Sequence, residues 1–183
     1  IEISTKFKEG IPMDAIKLNA ILKSMEEQNL PQMIISDPPS IFYLTGKWIH
    51  PGERCLALYL NVNGGHKLVI NKLFPQERDL GVELVWYDDI EDAVAILAQF
   101  VEKDKPIGID KTWPARFLLR LQELGAGSKF VNGSLIVDYV RQIKNEKDML
   151  VELMTNQCVE EFPIEAVTHN RVIVSEQFDT VNE

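Results

Sequence analysis

The chain has 183 residues, of which 45% are hydrophobic and 26% are charged, and its formal net charge is −9 at pH 7. This composition is typical of a globular protein that needs neither disulfides nor a metal to fold. The acidic balance argues against a nucleic-acid partner, because phosphate binding needs Lys and Arg gathered on one face.

Two cysteines, Cys55 and Cys158, lie far apart without a CxxC partner, so neither a disulfide framework nor a zinc site is indicated, and we expect buried thiols. No apolar run approaches the roughly 20 residues of a membrane-spanning helix. The first ten residues include Lys6, Lys8 and Glu9 and lack a signal-peptide pattern. We therefore expect a cytoplasmic protein with no membrane partner.

The first elements alternate between helix and strand. Residues 13–29 predict an amphipathic helix, because apolar residues recur at three- and four-residue spacing at Ala15, Leu18, Leu22 and Met25. A short buried strand is expected at 33–35, where the double proline at 38–39 turns the chain. Residues 40–44 predict a short helical turn that ends at Gly46.

A β-hairpin is expected next, with strands at 55–60 and 67–71 around an Asn- and Gly-rich turn. Residues 84–87 predict another strand. Asp88 and Asp89 are then expected to cap a helix whose inward side carries Ile90, Ala93, Val94, Leu97 and Val101.

A strand at 105–109, a helix opened by residues 112–114 and ended by Gly125, and a strand at 129–131 complete the body. A hairpin followed by alternating strands and helices indicates an α/β fold. Its mixed sheet is expected to have about five or six strands with helices covering the faces.

The C-terminal part differs in charge. Residues 146–183 hold nine acidic and two basic residues, a net charge of −7. A helical pattern continues after Gly133 to about Cys158, longer than the body needs, and residues 171–174 form one β-prone run. We predict a domain at 1–135, followed at 136–183 by a connecting helix and an acidic tail of unassigned fold.

Metal-binding patterns are weak. His50, His66 and His169 lie in three segments and have no metal-ligand spacing. Asp37, Asp89 and Asp110 each fall at a predicted strand end, where α/β proteins often place function. The alternative interpretation is local: Asp37 starts a turn, Asp89 caps a helix and Asp110 ends a strand. We predict no catalytic and no metal-binding residue in this chain.

Residues 41–54 combine aromatic, basic and histidine side chains in one turn-rich segment. Loops that carry Trp, His and Arg together are often binding surfaces, because these side chains combine contact area with directional donors. The structural alternative is that Trp48 covers the edge of the core and Arg54 pairs with Glu53 or Asp37.

Three motifs in order carry a resemblance to a known family. They are Asp37-Pro38-Pro39-Ser40-Ile41-Phe42-Tyr43-Leu44-Thr45-Gly46 with Pro51-Gly52-Glu53-Arg54, then Ile107-Gly108-Ile109-Asp110, and last Val137-Asp138-Tyr139-Val140-Arg141-Gln142-Ile143-Lys144-Asn145-Glu146-Lys147. Over residues 13–154 the chain resembles the N-terminal domain of Xaa-Pro dipeptidases (prolidases), aminopeptidase P and creatinase.

The resemblance implies a ribonuclease H-like mixed sheet that is not itself catalytic. In this family, hydrolysis belongs to a following pita-bread domain, where two Asp, one His and two Glu hold two divalent metal ions. We expect no cofactor in this chain and the two ions only in that missing catalytic domain.

The function implied is that of the non-catalytic N-terminal domain of a cytosolic Xaa-Pro metallopeptidase, inactive alone. Family members commonly dimerise so that this domain walls the partner's active site, so we expect a homodimer and, in the full-length enzyme, a proline-containing dipeptide. Trp48, His50 and Arg54 are the candidate wall residues. The alternative is a stand-alone protein or peptide interaction module; a ribonuclease H-like nuclease would need a basic substrate track that the charge balance disfavours.

Overall fold

The computed structural model describes residues 13–76 and 79–142, together with the backbone of residues 166–168 and 171–173. The chain divides into two compact units, residues 1–141 and residues 142–183. The first unit holds a six-stranded sheet and the second a two-stranded sheet. None of the described helices combines the length and the apolar character that a bilayer crossing requires.

Helices and strands alternate along the first unit in nearly the predicted order. The helices are α1 (Ala15–Glu27), α2 (Pro38–Thr45), α3 (Ala93–Ala98), α4 (Ala115–Glu123) and α5 (Ser134–Gln142). The strands are β1 (Gln32–Ile35), β2 (Ala57–Asn61), β3 (Lys67–Asn71), β4 (Glu83–Tyr87), β5 (Pro106–Ile109) and β6 (Lys129–Asn132).

The sheet is mixed, with strand order β4-β3-β2-β1-β5-β6. β1 pairs antiparallel with β2 and parallel with β5. β2 and β3 form the predicted antiparallel hairpin, whereas β3 with β4 and β5 with β6 are parallel. The predicted α/β fold, with a mixed sheet flanked by helices, is confirmed.

Side chains from alternate positions of the central strands fill two cores, one on each face of the sheet. Met33 and Ile35 of β1 enter the core that α1, α2 and α5 cover. Ile34, between them, enters the core that α3 and α4 cover. Because both faces are covered, the central strands are buried throughout and read as continuous apolar runs.

Local polar groups determine where α1 and α2 begin and end. The carboxylate of Asp14 caps α1 by accepting hydrogen bonds from the backbone N–H groups of Ile16 and Lys17, at 3.1 and 3.3 Å. Gly46 ends α2 as predicted, in a left-handed conformation with a φ of 63° that favours glycine.

The start of α3 corrects the sequence-based prediction. Its cap is Asp92, whose Oδ1 accepts from the backbone N–H groups of Val94 and Ala95, and not the Asp88-Asp89 pair. Ile90 lies before the helix and is 94% exposed, so its expected inward position is wrong. The reason is local, since Asp88 Oδ1 accepts from the backbone N–H of Ile90 at 3.2 Å and holds these residues in a turn.

In the second unit, β7 (Ala166–Thr168) pairs antiparallel with β8 (Arg171–Ile173). β8 lies in the predicted β-prone run, whereas β7 was not predicted. Cys55 is buried, as expected. The predicted continuation of the α5 helix to about residue 158, with Cys158, lies outside the described residues, as does His169. The domain boundary after residue 135 stays a prediction.

Candidate functional site

Two of the three acidic residues at strand ends, Asp37 and Asp110, meet where β1 and β5 lie side by side. Asp110 Oδ2 accepts hydrogen bonds from the backbone N–H groups of Ser36 and Asp37, both at 2.7 Å, and its Oδ1 accepts from the Ser36 hydroxyl at 2.5 Å. Asp110 is only 9% exposed. With its oxygens occupied by the chain's own donors, this carboxylate joins the two strand ends rather than presenting a free acid.

Asp37 caps α2 and also contacts α5. Its Oδ2 accepts from the backbone N–H of Ser40 at 3.1 Å and from the Ser40 hydroxyl at 2.5 Å. Nη1 of Arg141 on α5 lies 3.4 Å from the same oxygen. The local interpretation, in which Asp37 starts a turn and Asp110 ends a strand, agrees with these contacts, and the turn at Asp37 is the start of α2.

Asp89 lies elsewhere and has a different partner. Arg54 donates to it through two parallel hydrogen bonds, Nε to Oδ1 and Nη2 to Oδ2, each 2.8 Å long. Asn71 Nδ2 also donates to Oδ1, at 2.8 Å. Asp89 does not cap α3, and Arg54 pairs with neither Glu53 nor Asp37, so both of those expectations are wrong.

This ion pair shifts the titration of both partners. The hydrogen bonds from Arg54 hold the pKa of the Asp89 carboxyl below its usual range. The same hydrogen bonds to Asp89 raise the pKa of the Arg54 guanidinium. The pair is therefore charged at neutral pH and fixes the C-terminal end of the 47–54 loop to the end of β4.

The other two candidate wall residues occupy the middle of the 47–54 loop. Trp48 is half-buried and packs edge-on against Phe42, with ring centroids 5.9 Å apart. His50 is exposed. His50 and Arg54 both border a crevice of about 160 Å³, which Trp48 does not line. The loop thus brings the three residues onto one surface segment, but not into one cavity.

The described residues contain no group of three or more His, Cys, Asp and Glu side chains placed to hold a metal ion. The pair of divalent ions that the resemblance implies does not fit the donors in this part of the chain. Arg116 and Arg141 were not among the predicted site residues. Arg141 stands in the third motif, but its contact with Asp37 spans 104 residues and leaves no local pattern.

Comparisons with known proteins agree with this architecture. The model of the creatinase/prolidase N-terminal domain matches residues 17–143. No curated protein matches the chain.

Solved structures share the fold. A proline dipeptidase from Streptococcus pneumoniae is 24% identical with a TM-score of 0.63, over 70% of this chain and 98% of that one. A recombinant prolidase from Thermococcus sibiricus is 18% identical with a TM-score of 0.73, over 82% of this chain and 43% of that one.

A dipeptidase from Pyrococcus horikoshii is 24% identical with a TM-score of 0.62, over 72% of this chain and 38% of that one. The chain thus spans less than half the length of the archaeal enzymes but nearly all of the streptococcal structure. Because the family model covers more than half of this chain, the chain belongs to the creatinase/prolidase N-terminal domain family.

Proposed function

We propose that this chain acts as the non-catalytic N-terminal domain of a cytoplasmic Xaa-Pro dipeptidase-type metallopeptidase. In this role it would wall the active site of a second copy in a homodimer. The proposal rests on the family membership and on one structural observation, the anchored 47–54 loop that presents an exposed His50. Hydrolysis is assigned to another domain, so no step in this chain passes through a metal ion.

The anchoring of the 47–54 loop at both ends supports a function as a wall of an active site. Arg54 and Asp89 hold one end, and the turn at Gly46 after α2 holds the other. Between these ends, Trp48 rests on Phe42 and His50 faces solvent. A loop anchored at both ends loses little conformational entropy when it closes over a ligand, which suits a surface that completes a pocket.

Roles for the three wall residues follow from these contacts. Trp48 offers aromatic contact area, and His50 offers an imidazole that can donate or accept a hydrogen bond. Nε and Nη2 of Arg54 donate hydrogen bonds to Asp89, so Nη1 could donate to a substrate carboxylate. Its main contribution would be to hold the loop.

The first test reads the gene beyond codon 183. A reading frame that continues with two Asp, one His and two Glu in metal-binding order supports the proposal. One that ends near Glu183 contradicts it and favours the interaction module. The purified 183-residue chain should not hydrolyse an Xaa-Pro dipeptide with added Mn²⁺ or Co²⁺, and hydrolysis would contradict the division of labour.

The second test uses the product of the continuing gene. Trp48→Ala and His50→Ala should raise KM for an Xaa-Pro dipeptide several-fold with a smaller change in kcat, because the wall contacts bound substrate. Trp86→Ala on β4 is the matched control, since Trp86 is 36% exposed and outside the loop. Sedimentation should show a dimer, and unchanged KM values or a monomeric enzyme would overturn the proposal.

A further inference from the structure

A second cavity, of about 570 Å³, is not used by the proposed wall function. It lies among the 53–55 segment, the end of β4, the start of α3 and the first half of α4. This size falls within the range of small-molecule sites, about 300–1,000 Å³. Its walls include seven charged side chains, so their pairing decides what the cavity could bind.

Most of these charges are already neutralised. Arg54 is paired with Asp89. Arg120 Nε lies 2.9 Å from Asp92 Oδ2, and its Nη1 lies 3.1 Å from Glu123 Oε2.

Glu91 is also engaged. Its Oε2 accepts a hydrogen bond from the backbone N–H of Asp88 at 2.8 Å and lies 3.7 Å from Nζ of Lys72. Among the lining charges, Arg116 and Glu53 then remain.

Arg116 has donors to spare. Its Nη2 donates to the backbone carbonyl of Glu53, and its guanidinium lies 4.7 Å from the ring centroid of Phe117. Within the described part of the chain, no carboxylate lies within ion-pair distance of it. A guanidinium carries five N–H donors in a planar fork that matches a carboxylate. Most of that fork is available to a ligand.

Glu53 supplies the opposite charge beside it. Its side chain is exposed and makes no hydrogen bond or ion pair with any residue that the structure describes. Its backbone carbonyl accepts from Arg116, so the residues that carry the two spare charges are neighbours on the wall of the cavity. The two charges do not pair with each other, which leaves separate positions for an anionic and a cationic group.

Among the apolar lining residues, Phe117 is half-buried and offers surface to a ligand, whereas Val94 and Cys55 are buried. Burial raises the pKa of the Cys55 thiol to about 12, so it is neutral and adds no negative charge near Arg116. Contact with this surface would remove an aliphatic or aromatic side chain of a ligand from water, which is favourable.

We propose that this cavity binds the zwitterion of a short peptide, with its carboxylate on Arg116, its ammonium group on Glu53 and an apolar side chain against Phe117. The site goes beyond the proposed wall function. It lies within this chain alone and requires neither a dimer nor a peptidase domain. A dipeptide fits the volume, and its termini are charged at neutral pH.

The test titrates the isotopically labelled 183-residue chain with L-alanyl-L-leucine and follows the backbone amides by NMR. The expected result is saturable shifts at residues 53–55 and 116–120. N-acetyl-alanyl-leucine, which lacks the ammonium group, and alanyl-leucine amide, which lacks the carboxylate, should each bind at least about tenfold more weakly. No shift at millimolar dipeptide, equal binding of the blocked forms, or comparable shifts with inorganic phosphate would overturn the proposal.

Substitutions at Arg116 and at Glu53 test the two proposed contacts separately. Arg116→Gln should lower the affinity for alanyl-leucine about tenfold or more, and Arg116→Lys less, because it keeps the charge but loses the fork. Glu53→Gln should weaken alanyl-leucine but not its N-acetyl form. Lys129→Gln on β6 is the control, with the same charge change on an exposed residue outside the cavity.

Folding is checked by thermal unfolding of each variant. If Arg116→Gln does not fold, Glu53→Gln decides the test, because it leaves the backbone carbonyl that Arg116 contacts in place. Unchanged affinity in the folded variants would exclude the site. All measurements use the isolated chain, so failure of the wall function would not affect them.

Discussion

Arg141 and Asp37 join the last described helix of the first unit to the start of α2. Nη1 of Arg141 lies 3.4 Å from Oδ2 of Asp37 and 3.3 Å from the hydroxyl oxygen of Ser40. A second link runs parallel to it, since the Tyr43 hydroxyl donates to the backbone carbonyl of Val140 at 3.3 Å. Because α2 leads directly into the 47–54 loop, α5 helps to position the proposed wall.

Removing this guanidinium should destabilise the first unit. Arg141→Met leaves the carboxylate of Asp37, which is 8% exposed, without its cationic partner. We expect the free energy of unfolding in urea to fall by about 1–3 kcal/mol. Arg141→Lys should lose less, because it keeps the charge. Lys129→Met on exposed β6 is the control, and an equal loss there would contradict the specific role of Arg141.

Both oxygens of the Asp110 carboxylate accept hydrogen bonds, so replacing one oxygen by an amide nitrogen should destabilise the fold. In Asp110→Asn, the amide nitrogen would face either the two backbone N–H donors of Ser36 and Asp37 or the Ser36 hydroxyl. We expect a loss of about 2–4 kcal/mol in unfolding free energy, because the charge-assisted hydrogen bonds are lost and a nitrogen replaces one acceptor oxygen. Asp104→Asn, an exposed change of the same kind, should be nearly neutral. Similar stability of the two variants would show that the Asp110 contacts contribute little.

His66 should make the fold less stable in mild acid. Burial lowers the pKa of its imidazole below the usual 6.5, and its Nδ1 accepts from the backbone N–H of Asn61 at 3.4 Å. Between the two pKa values the unfolded chain binds more protons than the folded chain. The free energy of unfolding should therefore fall as pH drops from 6.5 toward the folded-state pKa.

The measurement is urea unfolding at pH 7.5 and pH 5.5, with His66→Gln as the reference that removes the titrating group. The wild-type chain should lose more stability between the two pH values than the variant. An NMR titration of the His66 ring should give a midpoint below 6.5. Equal losses in the two proteins would contradict the assignment.

The Cys55 thiol should be unreactive in the folded state. It is 3% exposed, and burial raises its pKa to about 12, so little thiolate forms at pH 8. In a Cys158→Ser background, iodoacetamide should label Cys55 rapidly in urea and very slowly in buffer, as read by mass spectrometry. Labelling at similar rates under both conditions would show that the segment before β2 opens readily.

Local sequence patterns predicted the elements that depend on neighbouring residues alone. The apolar runs at 33–35 and 67–71, the Asn- and Gly-rich turn between the hairpin strands and the glycine stop at Gly46 all appear where they were predicted. The prediction failed at Asp88 to Asp92, where four acidic side chains compete to cap one helix. The residue types alone do not say which of the four is the cap; in the structure Asp88 holds Ile90 in a turn and Asp92 caps α3.

The pairing of the charges had no such local signal. Arg54 meets Asp89 across 35 residues, and Arg116 meets the carbonyl of Glu53 across 63. The amino-acid order determined the layered α/β architecture and the family, because burial of alternating side chains and backbone turns act between near neighbours. Which cations remain available for a ligand was decided by the tertiary structure alone, since ion pairs act over a few ångströms and only the sheet topology brings distant segments that close.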